Sequence, residues 1–222
     1  MNSNPSTGIL TAPSPASTAG TGCVIGSDEC LKGDTFGGLT VAAVALDAQG
    51  EQTLMNLGVT DSKKIGDARI PALANLIREH AIATAIRILS PADYNREVGS
   101  GVGATTILLN RLHNEAGREL KRNTSVGPSS QHIVDQYPGC AAGDKCETGA
   151  ESKFLAVAAA SILAREAGLN QFANLSASAG FTIPKGSTHV KKAMKTLKDK
   201  GLNPDDYLKR HFKNVQAIFP LP

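Results

Sequence analysis

The chain contains no tryptophan, and aromatic residues make up only 4% of it. A recognition surface built mainly on aromatic stacking is therefore not expected. No apolar run is long enough to span a bilayer. Residues 1–22 carry no charge and are rich in Ser, Thr, Pro and Gly. They lack the basic start and apolar middle of a signal peptide, so they read as a flexible tail on a cytoplasmic protein. No GxxxxGKS/T loop is present, which excludes a P-loop nucleotide hydrolase, and no GxSxG nucleophile elbow occurs. The five histidines, His80, His113, His132, His189 and His211, show no close metal-binding spacing, and His132 reads as a flank of the core. A secreted disulfide framework of the four cysteines is not expected in a chain this long without a signal peptide. Free thiols are expected, with a local Cys140–Cys146 bridge as the open alternative.

The chain does have a core. At 222 residues with 41% apolar content it can bury one full domain, expected over 23–217. Residues 23–29, 37–47 and 51–57 read as strands, the last two joined as a hairpin by Ala48-Gln49-Gly50. A helix starts near residue 67 with Ile70, Leu73, Ala74 and Ile77 on one face. Residues 81–89 form a fourth strand, leading into a Ser90-capped short helix. A helix over 104–121 should turn Ile107, Leu108, Leu112 and Ala116 inward, and residues 130–137 give a fifth strand ending at Pro138-Gly139. The segment ESKFLAVAAASILAREAGLNQF is the strongest helix, and its small side chains predict close packing. Two basic helical pieces complete the chain. The fold class is α/β, a central mixed five-stranded sheet flanked by helices.

Charge is unevenly spread. Net charge is +3, but residues 185–213 hold nine Lys or Arg against three Asp. That suits a polyanion, although from charge alone a solvated helical surface is the simpler reading. In the helix near 189–200, Lys191, Lys195 and Lys198 form a stripe opposite Val190, Met194 and Leu197.

Acids stand at strand ends or helix starts in three places: Asp28-Glu29, Asp135 and Glu151. Singly, Asp135 suits a turn or cap and Glu151 a helix dipole. Two adjacent anions at the end of a buried strand are harder to explain that way. Together the four carboxylates suit a pair of hard, oxygen-seeking divalent ions acting on a phosphodiester. Neighbours on an ideal strand face opposite ways, so Asp28 and Glu29 share a metal only if the strand bends or ends there. Gly26 and Gly33 make a bend reasonable.

GSDECLKGDTFGGLTVAAV, GVTDSKKI, YN at 94–95, LHN at 112–114, VDQ at 134–136, AESKFLAVAAASILAR, IPKG at 183–186 and HFKN at 211–214 occur in that order. As a set they resemble the type 2 ribonucleases H, most of all ribonuclease HIII, over residues 23–217. The resemblance implies the ribonuclease H fold and cleavage of the RNA strand of RNA–DNA hybrids with Mg²⁺ or Mn²⁺. It implies Asp28, Glu29, Asp135 and Glu151 as catalytic metal ligands, with Glu rather than Asp at 151 favouring the HIII type. It also implies substrate contacts from Asp61-Ser62-Lys63, Lys32, Gly33, Lys153, Lys185 and Gly186, to which the stripe adds Lys191 and Lys195.

Three departures from the family pattern stand out. Where HII enzymes carry Gly-Arg-Gly, this chain has Leu31-Lys32-Gly33, which puts close backbone approach at Leu31 in question. The IPKGSTHV stretch has no tyrosine where HII enzymes stack one at an RNA–DNA junction, so weak incision at single ribonucleotides is expected. With only an uncharged stretch before residue 23, the N-terminal substrate-binding domain usual in HIII proteins is expected to be missing. Rival readings are another two-metal nuclease of the same fold, such as a junction resolvase or exonuclease, or a non-catalytic hybrid-binding protein. No protein partner is evident, so a monomer is expected.

Overall fold

The computed structural model describes residues 22–60, 62–99 and 103–220. The tail expected over residues 1–22, apart from Gly22, and Asp61 of the DSK stretch lie outside these. Five strands form one mixed sheet: β1 (Val24–Cys30), β2 (Leu39–Leu46), β3 (Ala83–Leu89), β4 (Gln131–Asp135) and β5 (Lys145–Glu147), in the order β3-β2-β1-β4-β5. β1 is antiparallel to β2 and parallel to β4, β2 is antiparallel to β3, and β4 is parallel to β5.

The expected strand over 51–57 is instead part of helix α1 (Ala48–Asn56). Asp47 caps it, accepting a 2.7 Å hydrogen bond from Gly50 N, so the presumed hairpin link is its first turn. The hairpin partner of β2 is β1, and the fifth strand is the three-residue β5. Helix α2 (Ile70–His80) buries the predicted Ile70, Leu73, Ala74 and Ile77. Helix α3 (Pro91–Val98) is capped by Ser90 as expected. Helix α4 (Ala104–Lys121) buries Leu108, Leu109, Leu112 and Ala116, whereas Ile107 points to solvent, 69% exposed. Leu108, Leu112 and Ala116 face inward as expected, and Leu109 takes the place expected of Ile107.

The two faces of the sheet are covered by different helices. On one, α5 (Leu155–Ala179) lies across β1 and β2 with α2 behind it, in a core of Ala, Leu, Ile and Val. The Ala-rich run allows backbone approach: a Cβ on Gly26 would lie 2.2 Å from Ala156 C and Val157 N. On the other face α4 packs against β1, β2 and β4. Beyond the sheet, α6 (Lys191–Asp199) and α7 (Lys213–Gln216) form a third core with Phe36, Phe172 and Leu208. The second basic piece is therefore a 3-10 turn (Pro204–Asp206) and a short helix, not one solvated helix. Its Lys209 is fully buried and donates to the carbonyls of Asp34 (2.7 Å) and Gly37 (3.0 Å). Cys23 and Cys30 are free thiols as expected, whereas Cys140 and Cys146 are disulfide-bonded: the Pro138-Gly139 turn and the β4–β5 pairing bring their Cα atoms to 6.3 Å. Among the described residues no helix is long and apolar enough to cross a membrane.

Candidate active site

β1 and β4 run parallel side by side, and their C-terminal ends open the sheet at a point where chain direction changes. The last β1–β4 pair is Ser27 with Val134, so Asp28 and Asp135 each follow one residue beyond it. β1 itself continues, paired to β2 through Cys30. The strand neither bends nor ends at the two acids, contrary to the expectation built on Gly26 and Gly33. Gly26 instead admits the α5 backbone. Alternation then sends Asp28 toward α5 and the Ser161 hydroxyl, and Glu29 toward α4 and His113. Because β4 has stopped, both still line one cavity of about 520 Å³ together with Asp135.

Asp135 stands on the α5 side of β4, its Oδ1 accepting from Ala150 N at 2.8 Å. Glu151 lies in a 3-10 turn (Ala150–Ser152) that precedes α5, rather than in the first turn of the helix. Three acids from three segments thus share the α5 side, with Glu29 across the strand. Asp28 is only 8% exposed and Glu151 7%. Burial pushes the Asp28 carboxyl well above the usual range, and the charges of Glu29 and Asp135 add to this against hydrogen bonds from Ser161 and the Glu29 amide. Burial alone would raise Glu29 too, but His113 and then Lys32 outweigh it and hold that carboxyl below its ordinary value.

Two lysines answer this charge. Lys63 pairs with Glu151 and Lys32 with Glu29. The Lys63 ammonium is held above its ordinary pKa by the hydrogen bond to Glu151, helped by the charges of Glu151, Asp135 and Asp28. As the side chains stand, no three His, Cys, Asp or Glu groups among the described residues converge closely enough to hold a metal. Even so, the donors are all hard oxygens, and Lys63 is a cation drawn in by three of the four acids. In charge and donor chemistry the set fits divalent ions of the Mg²⁺ or Mn²⁺ kind, once Glu29 and Glu151 leave their lysines.

Of the other predicted residues, Ser62, Lys63, Lys32 and Gly33 line the cavity. Lys185 pairs with Asp67 beside Arg165, and Gly186 N donates to Asp34 Oδ1 at 2.5 Å. Lys153 pairs with Glu147, and Lys191 and Lys195 stand exposed on α6; none of these three lines the cavity. Leu31 is the one non-glycine with positive φ among the described residues, at 71°. The backbone there keeps the left-handed shape that a glycine would take, while the leucine side chain buries against Phe172.

Sequence reading missed Ser161 and Arg165, which line the cavity one helical turn apart on α5. Ser161 Oγ lies 2.6 Å from Ser62 Oγ and 3.5 Å from Glu151 Oε2. Arg165 donates to the Ser62 carbonyl and to Asp67. A lone hydroxyl within the buried AAAS run was the available signal. The supporting role of Lys209, which ties the 34–37 loop from beneath, carried none.

A family described as Ribonuclease HII matches residues 25–215. Ribonuclease HIII of Bacillus thuringiensis subsp. konkukian (strain 97-27) is 34% identical over 230 aligned positions, covering 93% of this chain and 71% of that protein. The crystal structure of Bst-RNase HIII in complex with Mn²⁺ is similar with a TM-score of 0.77 at 29% identity, covering 94% of this chain and 73% of that one. RNase H3 of Aquifex aeolicus gives a TM-score of 0.70 at 29% identity, covering 84% and 71%. The parallel β1–β4 pair, the acids at its end and this breadth of similarity agree: the chain belongs to the ribonuclease HII family, with ribonuclease HIII enzymes among its relatives, and it is a ribonuclease H acting on RNA–DNA hybrids.

Proposed function

We propose that the chain is an endoribonuclease that cuts the RNA strand of a hybrid to leave 5′-phosphate and 3′-hydroxyl ends. Asp28, Glu29, Asp135 and Glu151 would hold two divalent ions, Mg²⁺ or Mn²⁺. When bound, such ions supply Lewis-acid stabilisation and an activated water for phosphodiester hydrolysis. The observation that carries this reading is geometric: Asp28 and Asp135 stand on neighbouring parallel strands one residue past the last β1–β4 pair, with the Lys63–Glu151 ion pair beside them. Mn²⁺ in the related Bst-RNase HIII supports the same choice of ion.

The chain's own residues have separable tasks in this proposal. Lys63 and Lys32 neutralise Glu151 and Glu29 in the free protein, and on substrate binding they turn to backbone phosphates. Ser62, Arg165 and Lys185 extend that cationic and hydroxyl lining. RNA is told from DNA at the 2′-hydroxyl, by backbone groups of Leu31, Lys32 and Gly33. The left-handed Leu31 favours this, since the loop keeps a glycine-like course without the glycine. Lys191 and Lys195 on α6 would follow the phosphate backbone farther out.

The test is one substrate panel with Mn²⁺ and with Mg²⁺: an end-labelled RNA–DNA hybrid, a duplex with a single embedded ribonucleotide, and a branched DNA. The hybrid should be cut internally with the stated ends, the single ribonucleotide poorly, and the branch not at all. Cutting of the branch in preference to the hybrid would favour a resolvase. Tight hybrid binding with no cleavage under either ion would favour a non-catalytic binder.

A further inference from the structure

Among the described residues, His113 Nε2 is a fully buried polar atom without a hydrogen-bond partner, and it is aimed at the site. The nearest acidic oxygen is Glu29 Oε2, at 3.4 Å. The ring's other nitrogen, Nδ1, lies 2.8 Å from Ser27 Oγ, and the same hydroxyl lies 2.8 Å from His132 Nε2. Strand geometry explains the alignment. Ser27 and Glu29 are two apart on β1 and share the face toward α4, so one imidazole from α4 reaches both. His132 is the β4 residue in register with Ile25, on that same face.

One tautomer assignment satisfies these groups together. A carboxylate only accepts, so the tautomer of His113 that serves Glu29 carries its proton on Nε2. Nδ1 is then bare and needs a donor, which the single Ser27 hydroxyl proton supplies. Having donated, Ser27 accepts from His132 Nε2–H. The carboxylate is already divided: Oε1 takes Lys32 on the cavity side, while Oε2 faces buried His113.

We propose that His113 is a positioning residue for Glu29. Oriented by Ser27 and His132, its Nε2–H holds Oε2 and leaves Oε1 as the oxygen presented to a divalent ion once Lys32 moves away. An isolated strand residue whose neighbour faces the other helix layer would otherwise swing freely, so this contact does for Glu29 what the Ala150 amide does for Asp135. The proposal rests on the reading of Glu29 as a metal ligand.

The test uses the full chain without substrate, titrated with Mn²⁺ and read by the electron paramagnetic resonance of the free ion, alongside the Mn²⁺ concentration giving half-maximal hybrid cleavage. His113→Phe keeps a ring to stack on Tyr137, whose centroid is 5.5 Å away, and removes both nitrogens. It should weaken Mn²⁺ binding about tenfold and raise the half-maximal concentration similarly. Ser27→Ala should move both readouts the same way by less, and His113→Gln, which restores an N–H, should recover part of the loss. A folded His113→Phe with unchanged Mn²⁺ affinity overturns the proposal. If that variant does not fold, unchanged affinity in Ser27→Ala overturns it. Glu29→Gln separates the two levels: wild-type affinity there removes the ligand reading itself, whereas weakened binding there with none in His113→Phe removes only the role of His113.

Discussion

His132 and Leu31 are each held in a state that the surrounding structure imposes, one a protonation state and one a backbone conformation. His132 is buried between Ser27 and α4, where burial and then the neighbouring His113 pull its pKa down to about 4. An unfolded His titrates near 6.5, so between about pH 6.5 and 4 the unfolded chain binds the proton and the native one does not. The stabilising contribution is thus complete above pH 6.5 and lost as pH falls through 4, amounting to roughly 3 kcal/mol over that window. Urea unfolding at pH 7 and pH 5 should show the fall, and His132→Gln should flatten it. Leu31 occupies a conformation costing an L-residue roughly 1–2 kcal/mol. Leu31→Gly relieves that strain but empties a buried site against Phe172, worth about 2–5 kcal/mol. A net loss of roughly 2 kcal/mol in unfolding free energy is expected.

β1 is the element on which the site depends, because it carries Asp28 to one helix layer and Glu29 to the other. Its fit against α5 depends on Gly26, where an added methyl would strike the Ala156–Val157 backbone at 2.2 Å. Gly26→Ala should therefore destabilise by about 3 kcal/mol and slow cleavage, since α5 or β1 must shift and the Asp28 carboxyl with it. Denaturation and hybrid cleavage measured on the same preparation check both. Elements with a strong period were legible in the sequence: α2 showed its stripe, α4 its bounds, and Ser90 its cap. α1 was not, because Leu54 is the single large apolar side chain it buries, too little to distinguish a helical period from alternation. The Asp47 cap was the signal overlooked. β5 is three residues long, and its pairing with β4 arises from tertiary packing beyond the reach of a local pattern.

At the scale of the molecule, acids collect where the β1–β4 pairing stops, and α6 carries exposed lysines on the C-terminal core. The acids' residue numbers could be read from order and motif. Their arrangement, three toward α5 and one toward α4, could not, because it depends on where β1–β4 pairing stops. If Lys191 and Lys195 track the hybrid backbone, log affinity should fall linearly with log salt concentration. Replacing both with Ala should reduce that slope by about 2, measured by fluorescence anisotropy with cleavage blocked by EDTA.

The most direct measurement is cleavage of an end-labelled RNA–DNA hybrid in Mn²⁺ by the wild type and by Asp135→Asn, with circular dichroism confirming that both are folded. Loss of one carboxylate charge at the β4 end should slow cleavage at least about a hundredfold while leaving the fold intact. Cleavage by folded Asp135→Asn at the wild-type rate would contradict a catalytic centre assembled from Asp28, Glu29, Asp135 and Glu151.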